Sequence, residues 1–148
     1  MKSQISFKDI LLVDGTLDDL PSIAKKIVDT LPKNAVVLLK GNLAAGKTTL
    51  VKAIANEFGL SSVSSPTFSL QQIYGDNIFH YDFYRIDFEK ILQMGLFEEF
   101  EKSGLHFVEW PSEELIDLLY KSGFKLYLIE ITPKGDGREY KIKVADEI

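Results

Sequence analysis

Apolar residues recur along the chain with two different periods, and these periods predict helices alternating with strands. Helical spacing predicts a first helix over residues 17–31, with Asp18 or Asp19 as its cap. Residues 35–39 (AVVLL) form a short apolar run, typical of a strand buried on both faces. The remaining pattern predicts helices at 48–58, 87–102 (interrupted at Gly95) and 112–120, and strands at 68–74, 78–83, 105–110, 125–132 and 140–144.

This order of elements predicts a three-layer α/β fold. Strands that alternate with helices favour a central parallel sheet covered on both faces. Two turn segments, 75–77 and 133–138, separate consecutive strands and predict antiparallel margins. We therefore expect a mixed, mainly parallel sheet. The length of 148 residues, with neither a repeat nor a linker composition, predicts one domain spanning residues 1–148.

Composition narrows the functional classes. A hydrophobic fraction of 45% excludes intrinsic disorder, and a net charge of −5 does not suit an autonomous nucleic-acid binder. Because the chain has no cysteine, disulfides, thiolate zinc sites and cysteine nucleophiles are excluded. The longest uninterrupted apolar run, 35–39, is far too short for a membrane span, and the first residues do not read as a secretory signal. A soluble, cytoplasmic protein is the expectation.

Residues 41–48 (GNLAAGKT) match the phosphate-binding pattern G-x-x-x-x-G-K-[ST] at every fixed position. A predicted buried strand enters this segment and a predicted helix leaves it, so backbone amides and the positive helix end would face the same anion. Lys47 would supply a mobile cation for the terminal phosphates, and the Thr48 hydroxyl a ligand for Mg²⁺. The full spacing and this context favour a nucleoside triphosphate site over an ordinary turn.

A second magnesium contact should come from a carboxylate at the end of a neighbouring strand. Glu109 and Asp82 both qualify, because each lies where a predicted strand emerges at the sheet edge that binds ligands. Period-two alternation places His80, Asp82 and Tyr84 on one face of their strand. The two histidines are interpreted as packing or surface residues. Trp110 is interpreted as an aromatic of the core or its rim, with a contact near phosphate left open.

Five sequence blocks and a short C-terminal block together resemble the bacterial TsaE (YjeE-like) family of ATPases of tRNA threonylcarbamoyladenosine biosynthesis. The blocks are 41–49 (GNLAAGKTT), 65–70 (SPTFSL), 80–85 (HYDFYR), 94–96 (MGL), 108–111 (VEWP) and 137–139 (GRE). The chain departs from the family pattern at Asn42 and Ala44, where the family usually has aspartate and glycine. A Cβ at position 44 would strain the loop if that residue needed a positive φ.

The resemblance implies a set of site residues. Asp82 would lie near the γ-phosphate as the residue that orients the attacking water, and Thr67, less favoured for that role, would belong to a nucleotide-responsive loop. Thr48 and Glu109 would hold Mg²⁺, while Gly137 and Arg138 would lie near the nucleotide base. Phosphate binding would fall to Leu43, Ala44, Ala45, Gly46, Lys47, Thr48 and Thr49, with Lys47 also serving in catalysis.

The same resemblance implies a P-loop NTPase fold, ATP and Mg²⁺ as cofactors, and ATP hydrolysis that supports the TsaD and TsaB proteins. Because the sequence offers no strong candidate for an arginine finger, we expect slow hydrolysis by the isolated subunit. Those partners would carry out threonylcarbamoyl transfer, and tRNA would be contacted through the complex. Two alternatives stay open. The chain could be an ATP-dependent binding module that needs no hydrolysis, or a small P-loop kinase, although no arginine-rich lid segment is present.

Overall fold

The computed structural model describes residues 5–42, 46–60, 63–64 and 70–147, the pair 63–64 by backbone alone. Its strands are β1 (Phe7–Gly15), β2 (Ala35–Lys40), β3 (Val63–Ser64), β4 (Gln71–Tyr74), β5 (Ile78–Asp82), β6 (Leu105–Glu109), β7 (Leu126–Lys134) and β8 (Gly137–Ala145). Its helices are α1 (Leu20–Thr30), α2 (Lys47–Glu57), α3 (Phe88–Gln93) and α4 (Glu113–Lys121), with 3-10 turns at Leu17–Asp19 and Phe97–Glu101. None of these described helices combines the length and the apolar character needed to cross a bilayer.

The described strands form one eight-stranded sheet in the order β1-β8-β7-β2-β6-β5-β4-β3. The four central strands, β7, β2, β6 and β5, run parallel to one another, and both margins are antiparallel. The predicted mixed sheet is confirmed, but "mainly parallel" is wrong, since four of the seven pairings in the described part are antiparallel. Tight hairpins account for two of these four pairings, β4 with β5 and β7 with β8, because a tight hairpin can join only antiparallel strands.

Helices cover both faces of the sheet, as the alternation predicts. On one face α1 and α2 pack on side chains such as Val37, Leu39 and Ile129. On the other face α3, α4 and the 97–101 turn pack on Val36 and Leu38 with their neighbours. Successive residues of β2 therefore enter opposite cores, which explains why its sequence is apolar without alternation.

Strand β1 is a correction to the sequence-based interpretation, which contains no strand before residue 17. Its alternation is hidden because the ladder with β8 shifts register between Asp9 and Leu11. Leu11 and Val13 then face the core, whereas Leu12 is 59% exposed. A bulge adds one residue to a strand and breaks its period of two, so the run ILLV does not read as a strand.

The start of the first helix follows the predicted capping only in position, because Asp19 lies at the N-cap of α1 but its side chain makes no capping hydrogen bond to that helix. Asp19 precedes α1, and Pro21 lies in its first turn, where a missing N–H costs nothing. The backbone N–H of Thr16 donates to Asp19 Oδ2 at 2.9 Å, and the N–H of Asp19 donates back to the Thr16 carbonyl at 3.1 Å. The predicted single helix over 17–31 is thus a 3-10 turn followed by α1.

Other predicted elements also differ in their bounds. The strand predicted over 68–74 is seen only from Gln71, and residues 68–69 lie outside the described part. The helix predicted over 87–102 is two short pieces around Gly95, whose φ of +77° a helix cannot continue through. The last strand is longer than predicted, because the hairpin turn between β7 and β8 needs only two residues.

A buried hydrogen bond joins Tyr81 of β5 to His106 of β6, on the face of the sheet that packs against α3 and α4. His106 Nε2 lies 2.7 Å from the Lys102 carbonyl, which can only accept, so this nitrogen carries the hydrogen in the neutral ring. His106 Nδ1 therefore accepts from the Tyr81 hydroxyl, also at 2.7 Å. The His106 ring stacks on Phe79 with its centroid 4.3 Å away. Because burial opposes a charged imidazole there, the pKa of His106 is lowered to about 4.

We expect acid to destabilise the fold through His106. The unfolded chain takes up the proton near pH 6.5, whereas the folded chain does so near pH 4, so the free energy of unfolding falls as pH drops through this window. The full effect is about 3 kcal/mol, at 1.4 kcal/mol per pKa unit. Urea unfolding of the wild type and of His106→Asn, measured from pH 7 to pH 4.5, should show a steeper loss in the wild type. Equal slopes in the two proteins would contradict the assignment.

Candidate functional site

The candidate phosphate-binding segment joins β2 to α2 at the carboxyl edge of the parallel strands. Gly46 immediately precedes α2 with a φ of +93°, a conformation that strains any residue with a Cβ, so a glycine is required there. The carbonyl of Gly46 accepts the N–H of Leu50 at 3.0 Å, which starts the helix. Thr49 is exposed in the first turn of α2. The described residues do not include Leu43, Ala44 and Ala45. The strain considered at Ala44 therefore stays untested.

Lys47 is folded inward, over the loop that it follows. Its Nζ donates to the carbonyls of Gly41 and Asn42, at 2.7 and 3.0 Å. The same nitrogen lies 4.0 Å from the centroid of the Trp110 ring, within reach of a cation–π interaction. Burial lowers the pKa of Lys47 by more than the negative charges of Glu109 and Asp82 raise it. The ammonium group is thus held at the entrance of α2 by its own loop and by one aromatic ring.

Thr48 and Glu109 meet at the same edge. The Thr48 hydroxyl donates to Glu109 Oε2 at 2.7 Å, although 61 residues separate the two in sequence. The parallel ladder brings them together, because Leu39 at the end of β2 pairs with Glu109 at the end of β6. Burial acts to raise the pKa of Glu109, but hydrogen bonds from His80 and Thr48 and the charge of Lys47 outweigh it, and this pKa is lowered. Of the two candidate acids, Glu109 is the one in contact with Thr48.

Asp82 lies beside Glu109 but has a different environment. The two residues pair in the ladder between β5 and β6, and the Asp82 side chain is exposed. Its Oδ1 accepts the backbone N–H of Tyr84 at 3.1 Å. Asp82 lines an open cavity of about 450 Å³ together with Thr48, Leu70, Gln72, His80 and Tyr84. The predicted common face of His80, Asp82 and Tyr84 is therefore confirmed.

The two histidines have different surroundings. His106 is a buried packing residue, as predicted. His80 is also buried, but its Nε2 lies 2.5 Å from Glu109 Oε2, so it belongs to the candidate site. The sequence interpretation of His80 as packing or surface therefore missed this contact. The alternation along β5 already places His80 on the face of Asp82, and that pattern could have indicated it.

Each of the two strands that carry the acids is followed, within three residues, by a residue with a positive φ. Arg85 and Trp110 each have a φ of +59°, the two non-glycine residues with a positive φ in the described part of the chain. The ring centroids of Trp110 and Tyr84 lie 5.1 Å apart. The exposed Arg85 lies over the Tyr84 ring, with its Cζ 5.0 Å from the ring centroid. Residues with such backbone strain cluster at active sites and ligand-binding sites, where the surrounding structure keeps them in place. The contact of Trp110 near the phosphate segment, left open by the sequence, is observed with Lys47.

Gly137 and Arg138 lie on the hairpin between β7 and β8. Strand β7 runs parallel to β2 and extends four residues past its end, because Lys40 pairs with Glu130, so the hairpin tip lies at the same edge as the phosphate segment. A Cβ on Gly137 would come within 2.2 Å of the Gly15 carbonyl, and glycine allows this close approach. Contact of either residue with a nucleotide base stays a prediction. Thr67 lies outside the described residues.

Comparison with known proteins adds the family. The family model described as threonylcarbamoyl adenosine biosynthesis protein TsaE matches residues 15–140. The chain belongs to the TsaE family. The matched residues run from the last residue of β1 to the first four residues of β8, and so include every residue of the candidate site.

Relatives named TsaE and one solved structure are also similar to this chain. The chain is 42% identical over 95 residues to the "tRNA threonylcarbamoyladenosine biosynthesis protein TsaE" of Rickettsia typhi, covering 60% of this chain and 65% of that protein. It is 32% identical over 134 residues to the Bacillus subtilis protein of the same name, covering 82% and 84%. The "Crystal structure of Bacillus subtilus YdiB" superposes with a TM-score of 0.64 at 25% identity, covering 97% of this chain and 89% of that one. The matched segments span less than two thirds of the Rickettsia relatives.

The donor set in this TsaE-family chain fits a magnesium–nucleotide complex. A hydroxyl and an ionised carboxylate, 2.7 Å apart, offer the hard oxygen ligands that Mg²⁺ prefers beside phosphate oxygens. A buried ammonium group at the N-terminus of an 11-residue helix adds positive charge where phosphates would lie. The geometry can therefore bind a polyphosphate and a divalent cation at one edge of the sheet.

Proposed function

We propose that the chain is a P-loop ATPase that binds and hydrolyses Mg-ATP in support of tRNA threonylcarbamoyladenosine biosynthesis. The observation that carries this proposal is the Thr48–Glu109 hydrogen bond beside the buried Lys47. A hydroxyl from the start of a helix and a carboxylate from an adjacent parallel strand are the pair that holds magnesium in P-loop NTPases. The family and the names of its relatives support the pathway.

Each residue at the edge has a distinct part in this function. Lys47 releases its carbonyl contacts and pairs with the terminal phosphates, and the amides at the start of α2 hold the remaining oxygens. Thr48 and Glu109 would hold Mg²⁺, which would supply positive charge beside the phosphates. Asp82, exposed in the open cavity, accepts a hydrogen bond from the attacking water and orients it.

Slow hydrolysis by the isolated chain is part of the proposal. Arginine side chains supplied by a partner often stabilise charge in phosphoryl transfer. Arg85, three residues beyond the end of β5, is exposed and lies over the Tyr84 ring. We infer that TsaD and TsaB complete the site in the cytoplasm and carry out threonylcarbamoyl transfer, and that tRNA is contacted through that complex.

Three measurements test the proposed function. Calorimetry with ADP and ATP, with and without Mg²⁺, should show binding that magnesium strengthens, and phosphate release should increase when purified TsaD and TsaB are added. Expression of the chain in a bacterium depleted of its own TsaE should restore the modified nucleoside, measured by mass spectrometry of digested tRNA. Undetectable nucleotide binding would contradict the ATPase proposal, and unrestored modification would contradict the place in the pathway.

A further inference from the structure

The carboxylate of Glu109 is held from two sides at one oxygen. Thr48 Oγ1 lies 2.7 Å and His80 Nε2 lies 2.5 Å from Glu109 Oε2. His80 reaches it diagonally across the parallel ladder, because His80 pairs with Phe107 and Glu109 is two residues farther along β6. The side chains of His80 and Glu109 are 5% and 6% exposed, so this contact is largely shielded from water.

The direction of these hydrogen bonds follows from the chemistry of the groups. An ionised carboxylate can only accept, so the Thr48 hydroxyl donates and His80 Nε2 must carry a hydrogen. The lowered pKa of Glu109 agrees with an ionised group. With two donors on Oε2, rotation of the carboxylate away from Thr48 would leave a buried charge without its partners, which costs more than the bonds themselves contribute.

We propose that His80 is a positioning residue, whose Nε2–H fixes the Glu109 carboxylate beside Thr48 before the nucleotide and its metal arrive. This inference rests on the proposed function and deepens it, because it names the residue that orients the proposed magnesium ligand Glu109. Partners that orient a metal-binding carboxylate raise metal affinity, and their loss typically costs 10- to 100-fold.

The location of His80 separates this role from ordinary packing. Its neighbours in sequence, Phe79 and Tyr81, point into the apolar core on the other face. His80 instead lines the open cavity that Thr48 and Asp82 share. A residue needed only to fill space on that face would not have to present a nitrogen to a buried carboxylate.

A set of three variants tests the nitrogen itself. In His80→Gln the side-chain amide nitrogen reaches about as far as Nε2, whereas the shorter amide of His80→Asn matches Nδ1, and His80→Leu offers no donor. Mn²⁺ binding to the ADP complex, followed by electron paramagnetic resonance, measures the metal directly. We expect dissociation constants about 10-fold or more higher for the Asn and Leu variants and within about threefold of wild type for Gln. Metal-free ADP affinity should stay within about twofold in all three.

A spectroscopic measurement on the wild type does not depend on any variant folding. Long-range ¹H–¹⁵N spectra of the metal-free protein should show His80 protonated at Nε2, and a neutral ring protonated only at Nδ1 would overturn the proposal. An unchanged Mn²⁺ affinity in a folded His80→Leu protein, or a Gln variant as impaired as Leu, would also overturn it. If the wild type binds no nucleotide at all, the proposed function fails instead, and the two failures are thereby distinguished.

Discussion

Replacing Lys47 with alanine is expected to reduce ATP hydrolysis by about 100-fold or more, because each preorganised charge at a reacting phosphate contributes on that scale. Lys47 already lies at the mouth of α2, held by two carbonyls and the face of Trp110, so its ammonium group has a short path to a bound polyphosphate. Phosphate release measured in the presence of TsaD and TsaB gives the rate.

A matched control lies on the same helix. Lys52 is exposed on α2, and Lys52→Ala removes an equal charge without touching the phosphate segment. We expect its hydrolysis rate to remain within about twofold of wild type, since exposed charges contribute little. Comparable losses in both variants would show that general electrostatics, rather than the position of Lys47, governs the activity.

Trp110 explains part of how the site is organised before a ligand binds. Its positive φ ends β6, because the backbone turns there instead of continuing the strand. The Trp110 ring then lies under the Lys47 ammonium group. Tyr84, which follows β5, packs against the same ring. The ends of two neighbouring strands are thus tied to the lysine through aromatic contacts. The single tryptophan is therefore a natural fluorescence probe of this edge.

The sequence predicts the central part of this molecule well because local and long-range signals agree there. The run 35–39 is apolar at every position, and the structure places it in the middle of the sheet with both faces covered. The glycine-rich segment then ends a strand and begins a helix, so the neighbourhood of Lys47 and Thr48 follows from one motif. Glu109 and Asp82 follow from a general rule, that parallel strands present their ends at one edge.

The parts that sequence could not predict depend on register and on contacts across the sheet. The bulge near Ile10 reverses which residues of β1 face the core, and a pattern with period two cannot show it. The choice between Glu109 and Asp82 required the pairing of β2 with β6, which no local pattern specifies. The contact between His80 and Glu109 needs the diagonal offset between β5 and β6 as well.

Glu109→Gln preserves the shape of the side chain but removes its charge, and its amide can place a donor against the Thr48 hydroxyl and the His80 Nε2–H. We expect hydrolysis to fall about 100-fold and the magnesium requirement to rise, whereas ADP binding in EDTA should change little. Calorimetry and phosphate release at increasing Mg²⁺ measure these separately.

Glu114→Gln is the matched control, because Glu114 is an exposed carboxylate in the first turn of α4, five residues farther along the chain. It should hydrolyse ATP at the wild-type rate with the wild-type magnesium requirement. If Glu109→Gln kept a normal requirement while losing activity, the carboxylate would act on the reacting water instead, and Asp82 would become the candidate metal ligand. The contact between Thr48 and Glu109 argues against that outcome. Among the acids in the described residues, only Glu109 accepts a hydrogen bond from the Thr48 hydroxyl.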